Sequence, residues 1–147
     1  MIQRIQTLFI VIALGLMVAF LFIPFAYAPT FSATGYELVP IKALDFFGLT
    51  LPAALAIACI VVSLLSFGNL RTQKIFMGLS ALLTAACIGV VIYVITAGFF
   101  DTNPDVVVKS TWGGGGLFLV ASVIAEIAAC CFIASDQKKL RNSNRIR

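Results

Sequence analysis

Residues 117–134, LFLVASVIAEIAACCFIA, form an apolar stretch with a single charged side chain, Glu126, at its centre. Eighteen or more consecutive residues with almost no charge predict a helix that crosses a lipid bilayer. Because a charged carboxylate is costly in the middle of a bilayer, we expect Glu126 to face other helices rather than lipid. The remainder of the chain is therefore predicted to surround this residue.

Three uncharged apolar stretches precede this one, at residues 7–26, 49–67 and 75–99. Only 11% of the 147 residues are charged and 61% are hydrophobic, whereas a soluble domain has nearer a quarter charged residues. Residues 1–28 resemble a secretory signal, but their apolar run is longer than a signal core, so we expect it to stay as the first span. The sequence predicts an all-α membrane protein, a four-transmembrane-helix bundle forming a single domain over residues 1–147.

Two loops on one predicted side of the membrane are long enough to contain local structure. In residues 27–48, Thr34-Gly35 predicts a turn between two short strands, which would form a small hairpin. In residues 100–116, the β-branched segment 106–111 predicts a short strand paired with the first loop. The glycines at 113–116 predict a hinge or a site of close packing where the last span begins.

Positive charges are concentrated on the opposite predicted side. Eight of the ten Lys and Arg residues lie there if both chain ends are inside, and only Lys42 and Lys109 lie outside. Because Lys and Arg near spans favour the cytoplasm, this asymmetry predicts an N-in, C-in orientation with residues 135–147 as a basic cytoplasmic tail. No aromatic residues are interleaved with these charges, so nucleic acid is not expected. The residues predicted to contact anionic lipids or a cytoplasmic partner are Arg4, Arg71, Gln73, Lys74, Lys138, Lys139, Arg141, Arg145 and Arg147.

Glu126 is predicted to lie in an intramembrane polar site. Matching residues by depth places Ser63 and Thr84 near it, and Ser122 lies one helical turn away on the same span. Since no basic residue lies at that depth, we expect a neutral acid hydrogen-bonded to one of these three hydroxyl groups. Three roles are open: a proton or cation relay, a hydrogen-bonding group between helices, or an anchor for a partner subunit that supplies a cation.

The sequence lacks the residue patterns of the common catalytic and metal sites. It has no His, which is the commonest metal ligand and general base. The glycine run at 113–116 lacks the Lys-Ser/Thr that follows a phosphate-binding loop. The four cysteines lie in the spans without zinc-site or disulfide spacing; they are Cys59, Cys87, Cys130 and Cys131. We therefore expect no metal, no cofactor and no enzymatic activity.

Small residues recur at four-residue spacing on three of the spans. Such faces let a second helix approach closely in a membrane. Together with the basic inner side, they favour a non-enzymatic accessory or scaffold subunit of a larger assembly. The alternative is a small proton-coupled transporter that uses Glu126. The three small-residue faces are Gly15 and Ala19; Ala81, Ala85 and Gly89; and Ala121, Ala125 and Ala129.

Three segments resemble a known family. The opening MIQRIQT, the Arg71-Thr72-Gln73 turn and the basic ending DQKKLRNSNRIR from Asp136 are similar to the usual motifs of small four-span inner-membrane proteins of Bacteroidota, a family of unknown function. This sequence departs from the pattern at Leu140, which Arg141 follows directly, and at Asn144, where the family has an acid. The resemblance implies a four-span topology and a bacterial inner-membrane location, and it implies no activity.

Overall fold

A computed structural model of the chain describes residues 2–32, 35–66, 68–98 and 110–143. Within these ranges the predicted fold class is confirmed: four helices are long and apolar enough to cross a membrane, and three short strands form a sheet. Two residues of the predicted basic surface, Arg145 and Arg147, lie outside the described residues, as do the side chain of Arg4 and the loop residues 99–109.

The helices cover most of each predicted span. The largest difference is at the end of the last helix, which continues to Ser143 although its predicted span ends at residue 134. A helix satisfies its own backbone hydrogen bonds, so it has no need to end where the apolar side chains end. Most of the predicted tail is therefore helical. The four helices are α1 Ile2–Phe22, α2 Phe47–Leu65, α3 Leu70–Thr96 and α4 Gly115–Ser143.

The first helix ends at Phe22, although its predicted span extends to residue 26. Proline disfavours helical backbone in the residue before it and cannot donate a backbone hydrogen bond, so Pro24 ends the helix. The next amide, that of Phe25, donates to the carbonyl oxygen of Ile41 at 3.0 Å. The chain therefore passes directly from α1 into a β-sheet.

The predicted hairpin is present between α1 and α2. Strand β1, Ala26–Ser32, pairs antiparallel with β2, Gly35–Ile41. Gly35 has a φ of 132°, a conformation that residues with a Cβ rarely adopt. A third strand, β3 at Thr111–Trp112, pairs with the other edge of β1, giving the order β2-β1-β3.

Consecutive helices run in opposite directions, and α1 and α3 each pack against both α2 and α4. The start of α1 and the end of α4 therefore share one end of the bundle, where Gln6 donates a hydrogen bond to Asp136. We call this end the terminal face, and it also contains the turn between α2 and α3. The β-sheet lies at the opposite end, which we call the sheet face.

The glycine run packs tightly against the segment that follows α1. The amides of Gly113 and Gly115 donate to the carbonyl oxygens of Phe25 and Pro24, at 2.7 and 2.9 Å. A Cβ added to Gly113 would lie only 2.3 Å from the Pro24 oxygen, whereas one added to Gly116 would meet no heavy atom within 4 Å. Close packing is therefore the reason for glycine at two of the four positions.

Replacing Gly113 with alanine is expected to lower the free energy of unfolding by about 1–3 kcal/mol, because the new methyl group overlaps backbone atoms that cannot rotate away. The matched control is Gly116→Ala, which adds the same methyl group in open space. Unfolding of both variants in detergent micelles would measure the difference, and equal stability of the two would contradict this description of the contact.

Candidate functional site

Glu126 is completely buried between three helices of its own bundle, with 0% of its surface exposed. The Thr84 hydroxyl, from α3, donates to Glu126 Oε1 at 3.1 Å. Ser122, one turn earlier on α4, lies 3.4 Å from the same oxygen. Two of the three predicted hydroxyl partners therefore lie beside the carboxyl group. A partner subunit cannot reach that group in this conformation.

Both hydroxyl groups also lie near backbone carbonyl oxygens. Ser122 Oγ is 3.3 Å from the Ala13 oxygen of α1, and Thr84 Oγ1 is 3.0 Å from the Ser80 oxygen. A hydroxyl group has one proton to donate but can accept as well. A neutral carboxyl group can therefore donate through Oε1 to Thr84 while Thr84 donates to Ser80, so this oxygen needs no cation beside it.

The second carboxyl oxygen is in a different situation. Within the described part of the chain, Glu126 Oε2 is buried and has no hydrogen-bond partner. The thiols of Cys87 and Cys130 lie within electrostatic range of the carboxyl group. All four cysteines are free thiols. A buried acid with one unsatisfied oxygen is the feature of this protein that departs most from ordinary helix packing, since buried polar atoms are nearly always paired.

Ser63 lies elsewhere, although its predicted depth placed it near Glu126. Its hydroxyl donates to the backbone oxygen of Gln73 at 3.2 Å and so joins α2 to α3. Gln73 and Thr84 are eleven residues apart on α3, which corresponds to about 16 Å along the helix. The packing register of α2 against α3 therefore places Ser63 near the terminal face rather than at mid-membrane.

A second group of buried polar side chains lies at the terminal face, and the sequence analysis did not identify it as a site. Gln6 and Asp136 are both buried and hydrogen-bonded to each other. Gln73 was expected at the surface, but it is only 2% exposed and cannot contact a cytoplasmic partner or lipid in this conformation. The indication was available in the sequence, because all three residues lie in the segments that resemble the family motifs.

Other polar side chains connect or cap helices at the same end. Gln137 donates to the Leu70 carbonyl oxygen at 2.8 Å and joins α4 to the start of α3. Asn69 caps α3, since its side-chain oxygen accepts hydrogen bonds from the amides of Arg71 and Thr72. The family-like motifs at this end therefore hold the helices in register.

The predicted basic residues that the structure describes are exposed around this polar group. Gln137 lines two shallow clefts of about 450 and 370 Å³, the first also lined by Arg71 and the second by Lys138 and Arg141. This arrangement concentrates exposed positive charge at the terminal face. The exposed basic residues are Arg71, Lys74, Lys138, Lys139 and Arg141.

The three small-residue faces differ in what they contact. On α4, Ala125 and Ala129 are buried inside the bundle. On α3, Ala85 and Gly89 are exposed, and a Cβ added to Gly89 would meet no heavy atom within 4 Å. On α1, Gly15 is also exposed. One small-residue face therefore serves the fold, whereas the described residues leave Ala85 and Gly89 on α3, and Gly15 on α1, uncovered.

Comparison with known families shows which family the chain belongs to. The model of a domain of unknown function, DUF4293, matches residues 2–146. The protein belongs to the DUF4293 family. No curated protein matches the chain. The match extends over all four helices and both groups of buried polar side chains. The DUF4293 domain therefore corresponds to the whole helix bundle rather than to a part of it.

In this DUF4293 protein, Thr84→Val is expected to lower the free energy of unfolding by about 0.6 kcal/mol and by no more than about 1.7 kcal/mol, the range for single hydrogen bonds between membrane helices. The matched control is Thr96→Val, because Thr96 is exposed and, among the described residues, its hydroxyl bonds to its own helix alone. Unfolding in mixed micelles would compare them. A larger decrease in the free energy of unfolding for Thr96→Val than for Thr84→Val would show that the contact with Glu126 contributes little to stability.

Proposed function

We propose that this DUF4293 protein is a non-enzymatic accessory or scaffold subunit of a larger assembly in the inner membrane of a Bacteroidota cell. The terminal face lies in the cytoplasm in this proposal, because the positive charges are concentrated there. The exposed small-residue face on α3 is the observation that carries the proposal. The partner is another membrane protein whose helix packs against that face.

The contrast between α3 and α4 supports a partner helix. The apolar residues of a membrane protein gain nothing by leaving lipid, so helices associate through close backbone contact at small residues. The face on α4 makes that contact within the bundle, whereas Ala85 and Gly89 on α3 face outward. An apolar groove of about 500 Å³, lined in part by Ile88, Ile92 and Val120, lies beside this face between α3 and α4. A helix could therefore approach the face closely.

The basic terminal face supplies a second contact in this proposal. Each Lys or Arg near an anionic membrane surface contributes about 1 kcal/mol of attraction. The five exposed basic residues described above lie at the ends of two helices, the start of α3 and the end of α4. They anchor the bundle to anionic lipids and leave the cytoplasmic side available to an assembly partner.

The burial of Glu126 supports a role other than catalysis. With its side chain fully buried, the carboxyl group is out of reach of a substrate molecule in this conformation. A general acid or base must come within hydrogen-bonding distance of the atom on which it acts. Chemistry on a bound metabolite is therefore not part of the proposal.

A larger residue on the exposed face of α3 should remove the partner without unfolding the protein. We expect Gly89→Leu, purified from its native membrane in mild detergent, to lose the proteins that co-purify with the wild type, because the added side chain keeps a second helix away. Quantitative mass spectrometry would measure the loss, with a decrease of ten-fold or more expected.

The control is Ala54→Leu, which enlarges an exposed small residue on the neighbouring helix α2. It should retain the co-purifying proteins. Recovery of the wild type alone, with no stoichiometric companion, would count against the accessory role. If both variants lost the co-purifying proteins equally, the contact would not be specific to the face on α3.

We infer a second candidate, proton-coupled transport, from Glu126 alone. Ionisable residues within membrane spans are rare and often take part in ion pathways. The unpartnered Oε2 atom favours this candidate, because a group that only joined helices would be expected to have both oxygens bonded. The two candidates differ in whether protons cross the membrane.

Proteoliposomes containing a trapped pH-sensitive dye would test the second candidate. With an imposed pH gradient, the wild type should dissipate the gradient faster than Glu126→Gln, whose amide keeps the shape of the side chain but cannot release a proton. Thr96→Val serves as the control for reconstitution. Identical rates for the wild type, the Gln variant and protein-free vesicles would eliminate transport of protons by the isolated protein.

A further inference from the structure

The terminal face exposes positive charge that no exposed acid balances among the described residues. Its five exposed basic side chains come from the start of α3 and the end of α4. The only described acid at this end is Asp136, which is buried and bonded to Gln6. Of the other described acids, Glu37 and Asp45 lie at the sheet face and Glu126 lies inside the bundle. The terminal face is therefore suited to an anionic ligand.

Two clefts of this face share one lining residue, Gln137. The first cleft lies against the turn between α2 and α3, and Arg71 and Leu140 are among the residues that line it. The second cleft lies along the end of α4, where Lys138 and Arg141 line it. Each cleft therefore has at least one exposed cationic side chain, and a single amide group borders both.

We propose that the two clefts bind the headgroup of a phospholipid that has two phosphate groups joined by glycerol, as in cardiolipin, with one phosphate group in each cleft. Basic pockets between the cytoplasmic ends of transmembrane helices bind headgroups of this kind. The inference rests on the contact with anionic lipids in the proposed function, and it narrows that contact from general attraction to one class of headgroup. It is independent of the partner helix on α3.

The charges of the clefts match those of the two phosphate groups, each of which carries one negative charge as a diester. The Arg71 guanidinium group supplies the first cleft, and the Arg141 guanidinium and Lys138 ammonium groups supply the second. A guanidinium group is planar and can donate two parallel hydrogen bonds to phosphate oxygens. One arginine in each cleft therefore fits one phosphate group.

Gln137 borders both clefts, as the linking glycerol of the headgroup borders both phosphate groups. Its side-chain amide donates one N–H group to the Leu70 carbonyl oxygen at 2.8 Å, which fixes the side chain against α3. An amide side chain has a second N–H group and an oxygen that accepts hydrogen bonds. The linking glycerol of cardiolipin has a free hydroxyl group, which can donate to that oxygen or accept from that N–H group.

The two arginines lie close enough for a single headgroup to reach both. Arg71 follows Leu70, whose carbonyl oxygen holds Gln137, and Arg141 lies one turn, or about 6 Å, from Gln137 along α4. Such a separation suits two phosphate groups joined by a three-carbon linker. Once one phosphate group is bound, the linker holds the second near its cleft at a high effective concentration, which two separate lipids do not achieve.

The surroundings of the clefts favour a lipid over a water-soluble anion. Leu140 lines the first cleft and is 57% exposed. Ile75 lies one turn after Arg71 in the same candidate membrane span and is 62% exposed. Exposed apolar side chains therefore lie beside the charges. A phospholipid can place its headgroup against the charges and its acyl chains against the apolar groups, whereas a soluble anion contacts the charges alone.

Native mass spectrometry of the full-length protein in detergent micelles would test the proposal. Cardiolipin and phosphatidylglycerol, which has one phosphate group, are added separately at the same phosphate concentration. We expect one cardiolipin molecule per protein, bound at least ten-fold more tightly than phosphatidylglycerol. Arg71→Gln and Arg141→Gln should each remove most of that preference, because either substitution leaves an arginine in only one cleft.

The matched control is Lys139→Gln, which removes the same charge from an exposed residue of α4 that is not among the lining residues of either cleft. Its preference for cardiolipin should stay within two-fold of that of the wild type. Circular dichroism would check that each variant keeps its helices, and if one arginine variant does not fold, the other still tests the proposal. An equal loss of preference in Lys139→Gln and the arginine variants would show that only total charge matters, and would overturn the two-cleft site.

The remaining outcomes separate this proposal from the proposed function. Equal affinity of the wild type for the two lipids would overturn the two-phosphate site but leave the general contact with anionic lipids in place. Binding of neither lipid would overturn both. Release of bound cardiolipin by an equal concentration of inorganic pyrophosphate would indicate a site for a soluble anion and overturn the assignment to a lipid. Because Gly89→Leu tests the partner helix separately, none of these outcomes bears on the assembly role.

Discussion

The cost of placing a carboxyl group in hydrocarbon determines how three of the four helices meet. Glu126 lies inside the bundle because lipid offers it no hydrogen bond. Thr84 supplies a hydroxyl group from α3, and Ser122 joins the carboxyl group to the backbone of α1. The orientation of α4 about its own axis is therefore fixed at mid-membrane by polar contacts, where apolar side chains alone would leave many orientations similar in energy.

The two ends of the bundle are held together by different chemistry. At the terminal face, amide and carboxyl side chains such as Gln6, Asp136 and Gln137 connect helices that are distant in sequence. At the sheet face, backbone groups do the same work, because Gly113 and Gly115 bring their amides against the segment after α1. The family-like motifs at the terminal face accordingly contribute to the fold, and the charges beside them are exposed.

The same small-residue pattern has different consequences on different helices. On α4 it permits close packing within the bundle, and on α3 it leaves a surface on which a second helix can pack. A fold alone does not specify a function, and the DUF4293 family is described as a domain of unknown function. The functional argument therefore depends on which groups are buried, which are exposed and which buried atom lacks a partner.

Sequence patterns alone were enough to predict the four spans, the small hairpin and the isolation of Glu126 in an apolar stretch. Span length and turn chemistry are local properties of the sequence. The thickness of the bilayer sets how many apolar residues a crossing needs, and the turn residues locate the hairpin. The packing of the helices placed Ser63 at the terminal face, buried Gln73 and left the small-residue face of α3 exposed. Those outcomes depend on the rotation and axial register of each helix against its neighbours, and packing between distant segments sets both quantities. When nearly every side chain in a span is apolar, the pattern along one helix does not distinguish the side that faces lipid from the side that faces protein.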